Sequence, residues 1–256
     1  FYCVFKKKNI INVCFSQPVF GALIVIVLPL VTFLNCFMRS FQYQIYYGLK
    51  VSIADFLIFQ KENWIFTIFL TSLFLLFIQN IIHENFNINY VLRTKNRQTI
   101  WLSQIIKITI FSFLFSLYYG LCTVIIGRIF SDVYINWNRQ ESIFYSNTMM
   151  FTNPSFITVY LVFLTTCFIS IVATAYLFLF LCWVSPKGVL SWLTTIFVFC
   201  WDIFFQNYAI LAYRVSINYS HWGNQTLWQG ITFEVIFLLS LALIGGIYSK
   251  RKEFIY

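Results

Sequence analysis

His83-Glu-Asn-Phe-Asn-Ile-Asn-Tyr-Val-Leu-Arg-Thr-Lys-Asn-Arg-Gln-Thr-Ile-Trp-Leu-Ser-Gln-Ile-Ile-Lys107 is a polar interruption between two runs of about twenty uncharged residues. Arg93, Lys95, Arg97 and Lys107 fall within fifteen positions of one another, whereas neither flanking run carries a charge from Asn63 to Ile82 or from Ile108 to Gly127. Each run is long enough to cross a hydrocarbon core of ~30 Å as a helix. A basic segment held between two such runs belongs on the positive, cytoplasmic side. That assignment sets the direction of every other span.

The whole chain agrees with a bilayer-spanning class. It has 256 residues, 60% hydrophobic and 22% aromatic, and 10% charged, against about 25% charged in a typical soluble domain. The net charge of +9 lies at the ends of apolar runs and forms no extended stripe, so it reports membrane topology rather than nucleic-acid binding. Cys3, Cys14, Cys36, Cys122, Cys167, Cys182 and Cys200 show no CxxC and no close pairing, which fits small apolar packing residues, not a disulfide framework or a metal site. No cleavable signal-peptide pattern is present. The sequence opens on Phe1, so a few residues are expected upstream.

Working outward, the spacing predicts an all-α integral membrane protein with six transmembrane helices over about 19–37, 63–82, 108–127, 156–183, 189–208 and 231–248. Residues 1–18, with Lys6, Lys7 and Lys8 beside Phe1, Phe5, Ile11 and Phe15, suit an amphipathic helix lying in the membrane interface. Pro29 is expected to kink the first span. Residues 38–62 read as a mixed outer loop holding Arg39, Lys50, Asp55, Lys61 and Glu62, with room for a short amphipathic helix. Ser112, Ser116, Gly120, Thr123 and Gly127 give the third span a small, weakly polar face suited to close helix packing. Arg128–Ser155 reads as a polar outer loop, and Ser185-Pro-Lys-Gly188 as a tight turn.

Residues 209–230 are too polar to span and too aromatic for a free loop, so an outer interfacial or re-entrant segment is expected there. Residues 249–256 form a cytoplasmic tail. Eleven basic residues then lie inside (Lys6, Lys7, Lys8, Arg93, Lys95, Arg97, Lys107, Lys187, Lys250, Arg251, Lys252) and six outside (Arg39, Lys50, Lys61, Arg128, Arg139, Arg214). Both termini are therefore expected in the cytoplasm.

Asp202 and Glu234 are the ionisable groups within predicted spans, and intramembrane carboxylates mark function or a buried ion pair. Ser191, Thr195, Asp202 and Gln206 recur on one helical face at offsets of 4, 11 and 15, which should look into protein or water. Together with Glu234 they are candidates for a translocation path. No Gly-Lys pair exists, so a P-loop that would hydrolyse ATP is absent. The nucleophile elbow and the HExxH motif are absent too, and no catalytic or metal-ligating set emerges.

The layout of six spans with both ends inside, an interfacial basic helix, a basic loop between spans two and three, a very short turn between four and five, and a semi-buried outer segment before six resembles the type-2 ABC transporter permease family. In that family the second inner loop holds a coupling helix that docks on a separate ATPase. The resemblance places that role on Glu84, Asn87, Tyr90, Val91, Leu92, Arg93, Lys95 and Arg97. It implies a permease subunit of an ATP-driven exporter in a bacterial plasma membrane. The chain would carry no cofactor of its own, with ATP and magnesium on the partner ATPase, and would pair with a second permease chain, identical or different. The aromatic, charge-poor interior suits an amphipathic peptide or a lipid-like or drug cargo. The long loop Arg128–Ser155 departs from the family, where this connection is usually short. The competing expectations are a non-pumping immunity or sensor subunit, and a proton-coupled carrier using Asp202 and Glu234.

Overall fold

The structure, a computed structural model, describes residues 17–61, 70–85, 96–185, 188–204, 219, 222 and 225–251. Among them the chain is helical, without a strand, and its regular elements run α1 (Gln17–Phe41), a π-helical turn (Gln42–Tyr46), α2 (Ile53–Lys61), α3 (Thr71–Asn85), α4 (Arg97–Phe130), α5 (Ile143–Thr148), α6 (Phe156–Val184), α7 (Gly188–Phe204) and α8 (Gln225–Arg251). Four segments are long and apolar enough to cross a membrane: Ile24–Tyr46, Arg97–Phe130, Phe156–Val184 and Leu227–Lys250. The chain is a multi-pass membrane protein. α3 and α7, with 15 and 17 residues, are shorter.

These segments form helices because lipid leaves the backbone no other partner than itself. Their scattered hydroxyls follow the same rule and bond back one turn: Thr32 to the Leu28 carbonyl, Ser116 to Ser112, Thr123 to Tyr119 and Thr174 to Ser170, each at 2.7–2.9 Å. Pro29 sits inside α1, as the sequence predicts. It has no N–H, so the Val25 carbonyl four residues earlier loses its helical donor. Tyr118 of α4 supplies the replacement, its hydroxyl donating to Val25 O at 3.0 Å.

Helix ends fall beyond the limits that charge alone sets. The third span, expected over 108–127, belongs to a 34-residue helix α4 that starts at Arg97, ~51 Å long at 1.5 Å per residue. Its start is fixed by Asn96, whose side chain accepts from the Gln98 N–H at 3.0 Å, a polar N-cap that hydropathy does not see. Residues 97–107, expected as part of the inner loop, are thus its first turns. The interfacial helix expected over 1–18 falls almost wholly outside the described residues, as do the start of the second span, Pro186 and Lys187 of the turn, most of 205–224, and the tail after Arg251.

Contacts at both ends of α4 hold the bundle together. At one end the segment after α1 is sewn to the segment after α4: Lys50 N–H donates to Glu141 O at 2.9 Å, Asn136 Nδ2 to Lys50 O at 2.7 Å, and Ser131 Oγ to Val51 O at 2.7 Å. At the other end Trp101 of α4 lies against Trp183 of α6 with ring centroids 5.7 Å apart, and donates through Nε1 to Ala242 O of α8 at 3.1 Å. Gly245 makes this approach possible, because a Cβ there would lie inside the Trp101 ring. The small face of α4 packs as expected. Gly120 admits Leu164 and Tyr160 of α6, and Gly127 admits Phe56 of α2.

Candidate functional site around a buried helix

The residues 38–62, expected as a mixed outer loop, contain instead the end of α1, the π-helical turn and α2. Every residue of α2 from Ile53 to Lys61 is buried, so α2 is not amphipathic. It enters the bundle from the loop end and packs against α1, α4 and α6. Its start is capped within the sequence Ser52-Ile-Ala-Asp55. The Ser52 N–H and Oγ both donate to one Asp55 carboxylate oxygen, at 2.8 and 2.7 Å, one half of a Ser-x-x-acid cap. The other oxygen accepts from Trp137 Nε1 at 2.8 Å and Tyr219 OH at 3.0 Å. The next two N–H groups of α2, Ile53 and Ala54, donate to Val133 and Tyr134 carbonyls, both at 3.0 Å. Asp55 is thereby a fully bonded buried carboxylate that fastens the Arg128–Ser155 segment over α2.

Toward Lys61, α2 is tied to its neighbours through its backbone carbonyls and the Gln60 side chain. Asn35 of α1 donates to Phe59 O at 3.5 Å, and Tyr119 of α4 donates to Gln60 O at 3.1 Å. The Gln60 side chain completes the joint. Its Oε1 accepts from Asn35 Nδ2 at 3.1 Å and from Tyr119 OH at 2.8 Å, while its Nε2 donates to Thr32 O at 3.2 Å.

Lys61 turns the opposite way. It is 3% exposed, and its ammonium donates to Ser170 Oγ at 2.7 Å and to Thr166 O at 3.3 Å. Ser170 stands at the midpoint of the 29-residue α6, ~21 Å from either end at 1.5 Å per residue. The charge thus lies near mid-depth. A buried ammonium is costly in hydrocarbon, and these two oxygens of α6 supply its hydrogen bonds. Glu234 of α8 is also 0% exposed.

The candidate residues from the sequence divide among these places. Glu234 is buried on α8. Ser191 and Thr195 are both buried on α7, on the inward face that their spacing predicts, and Thr195 Oγ1 bonds back to Ser191 O at 2.8 Å. Asp202 lies within α7, but its side chain, like Gln206, is outside the described residues. Glu84 lies on α3 with its side chain likewise outside, and Asn87, Tyr90, Val91, Leu92, Arg93 and Lys95 fall outside altogether. Arg97 opens α4 and is half-buried. Lys61, counted among the outer cations, is in the bundle interior. Sequence reasoning missed it together with Asp55, Gln60, Asn35 and Tyr119. The available signal was the Ser52-x-x-Asp55 pattern followed by an apolar run, which marks a helix start inside a supposed loop.

No protein-family model, curated protein or solved structure matches this chain.

Proposed function

We infer that the chain is the transmembrane permease subunit of an ATP-driven exporter in a bacterial plasma membrane, with hydrolysis performed by a separate ATPase. The observation that carries this reading is the joint at the start of α4. The basic connection between α3 and α4 leads into a helix bolted to the bundle within two turns. Gln98 Nε2 donates to Gly246 O at 3.5 Å, Trp101 is locked between Trp183 and Gly245, and Trp183 Nε1 donates to Gln104 Oε1 at 2.7 Å. A push on residues 83–97 would reach α6 and α8 together, because side chains this closely packed move as one body. Six crossings would return both termini to the side of that connection, and its basic residues favour the cytoplasm for that side. The apolar, aromatic interior suits an amphipathic peptide or a lipid-like or drug cargo, with a second permease chain completing the path.

The test is co-expression of the tagged chain with an ATPase subunit encoded beside it, followed by affinity purification. Arg93→Gln, Lys95→Gln and Arg97→Gln together are expected to cost most of the co-purifying ATPase and the nucleotide-driven transport. Unchanged recovery of the ATPase would overturn the reading. A proton-coupled carrier is the second reading, favoured by the fully buried carboxylate of Glu234 on α8. It predicts uptake by the purified chain in vesicles under a pH gradient without nucleotide, lost in Glu234→Gln.

A further inference from the structure

In α5 the apolar side chains Ile143 and Phe144 are buried, and Phe144 stacks on Trp137 with ring centroids 4.8 Å apart. Directly after α5 the pattern inverts, and Met149, Met150 and Phe151 are 73%, 69% and 55% exposed. The turn that presents them is firmly built. Met149 closes α5 in the left-handed conformation, φ 56°, which few residues other than glycine adopt, and its N–H donates to Tyr145 O at 2.8 Å. The Met150 N–H donates to Thr148 Oγ1 and the Thr152 N–H to Trp137 O, both at 3.3 Å, while Phe151 stacks on Tyr145 at 4.6 Å. Three consecutive large apolar residues held outward by a fixed turn mark a contact surface.

We propose that Met149, Met150 and Phe151 form an anchor inserted into the lipid interface, so that the bilayer itself holds the segment lying over α2. Depth argues for lipid over a soluble partner. Phe56, beside Asp55 in α2, meets Gly127 in the last turn of α4, and Trp137 donates to Asp55 at 2.8 Å. Phe144 on Trp137 is therefore level with the end of a membrane-length helix, and Met149 follows within ~8 Å along α5 at 1.5 Å per residue. Tyr134 of the same segment lies 5.2 Å from Phe156, the first residue of the span α6, with the Arg128 guanidinium 5.3 Å over its ring. Tyrosine and arginine in that pairing suit the headgroup level. Chemistry points the same way. No charged residue lies between Glu141 and Lys187, so the anchor belongs to the same uncharged run as α6 and offers nothing for an acidic or basic partner to pair with. Thioethers and a phenyl ring adapt readily to acyl chains. The anchor would serve a permease and a carrier alike.

The sequence holds three methionines, Met38, Met149 and Met150, so 13C-methyl labelling yields one resonance from α1 and two from the anchor. Met38→Leu identifies the first and leaves the anchor unaltered, so no substitution in the anchor itself is needed. The full chain would be placed in nanodiscs of phosphatidylcholine and phosphatidylglycerol and exposed to two paramagnetic probes in turn. One is a phosphatidylcholine carrying a nitroxide near the headgroup end of its acyl chain, and the other is a soluble gadolinium chelate. Met38, exposed on the span α1, is the reference for lipid contact. At least one anchor methyl is expected to lose most of its intensity to the nitroxide lipid and to be broadened less by the chelate. Both anchor methyls broadened chiefly by the chelate would reveal a water-facing surface open to a soluble partner. Both left sharp by either probe would reveal protein cover, a second copy included. Either of these two results would overturn the proposal.

Discussion

Gly245 shows how little a side chain must change to reach the function. Trp101 and Gly245 form a ring-on-backbone contact, and a single methyl at 245 would occupy the ring's own volume. Gly245→Ala is expected to cost ~1–3 kcal/mol, the range for overpacking a filled interior, because neither the indole nor the backbone of α8 has room to yield. Equilibrium unfolding in mixed micelles measures it. Trp101→Phe in the same background should return part of the loss, since the smaller ring leaves space for the methyl. At Lys61 the governing quantity is charge rather than volume. Its hydrogen-bond partners Thr166 and Ser170 both stand on α6, so this one residue ties α2 to the middle of that helix.

At the scale of elements, α1 and α2 each carry a backbone defect that another helix repairs. In α1 the defect comes from Pro29, and the repair is the Tyr118 hydroxyl on Val25 O. Tyr118→Phe should cost ~1 kcal/mol, the usual net value of such a bond. Pro29→Ala/Tyr118→Phe should recover most of it, because the new N–H at 29 serves the Val25 carbonyl from within the helix. Melting of the single and double variants tests this coupling. In α2 the defect is its buried start, which Asp55 resolves by accepting from Ser52, Trp137 and Tyr219. Asp55→Ala strips those donors of their acceptor. The expected cost is ~1–3 kcal/mol for leaving buried polar groups unsatisfied, with faster amide exchange over 131–142 than over the middle of α6. Hydrogen exchange by mass spectrometry reads the difference directly, and uniform exchange would show that Asp55 does not hold that segment down.

For the whole molecule, the end where the segments after α1 and α4 meet is also joined by a solvent-exposed ion pair, Lys50 Nζ to Glu141 Oε2 at 2.6 Å. The Lys50 hydrogen bond, and then its charge, hold the Glu141 carboxyl below its ordinary value of 4.5. A depressed carboxylate contributes its stabilisation above that ordinary value and loses it as pH falls through the lowered one. The segment around Arg139–Ser142 should therefore loosen on acidification below pH 4.5, and Lys50→Met should remove that acid limb. The effect is small, as expected for an exposed pair, and amide exchange at low pH against the variant is the measurement.

The apolar runs, the proline in α1, the small face of α4 and the inward face of Ser191 and Thr195 were all legible from the order of residues, because lipid makes length and period decisive and lets no exposed backbone survive. Charge-based boundaries fell short at α4, where Asn96 and not the last lysine starts the helix. What residue order could not reveal is where a charge is spent. Lys61 and Asp55 look like loop charges when counted, since the cost of burying them is met by Ser170 and Thr166 in one case and by Trp137 and Tyr219 in the other, partners up to 164 positions away. Desolvation is a property of the surroundings, and only the packing of α2 between α1, α4 and α6 creates surroundings that turn an apparent loop into the centre of the bundle.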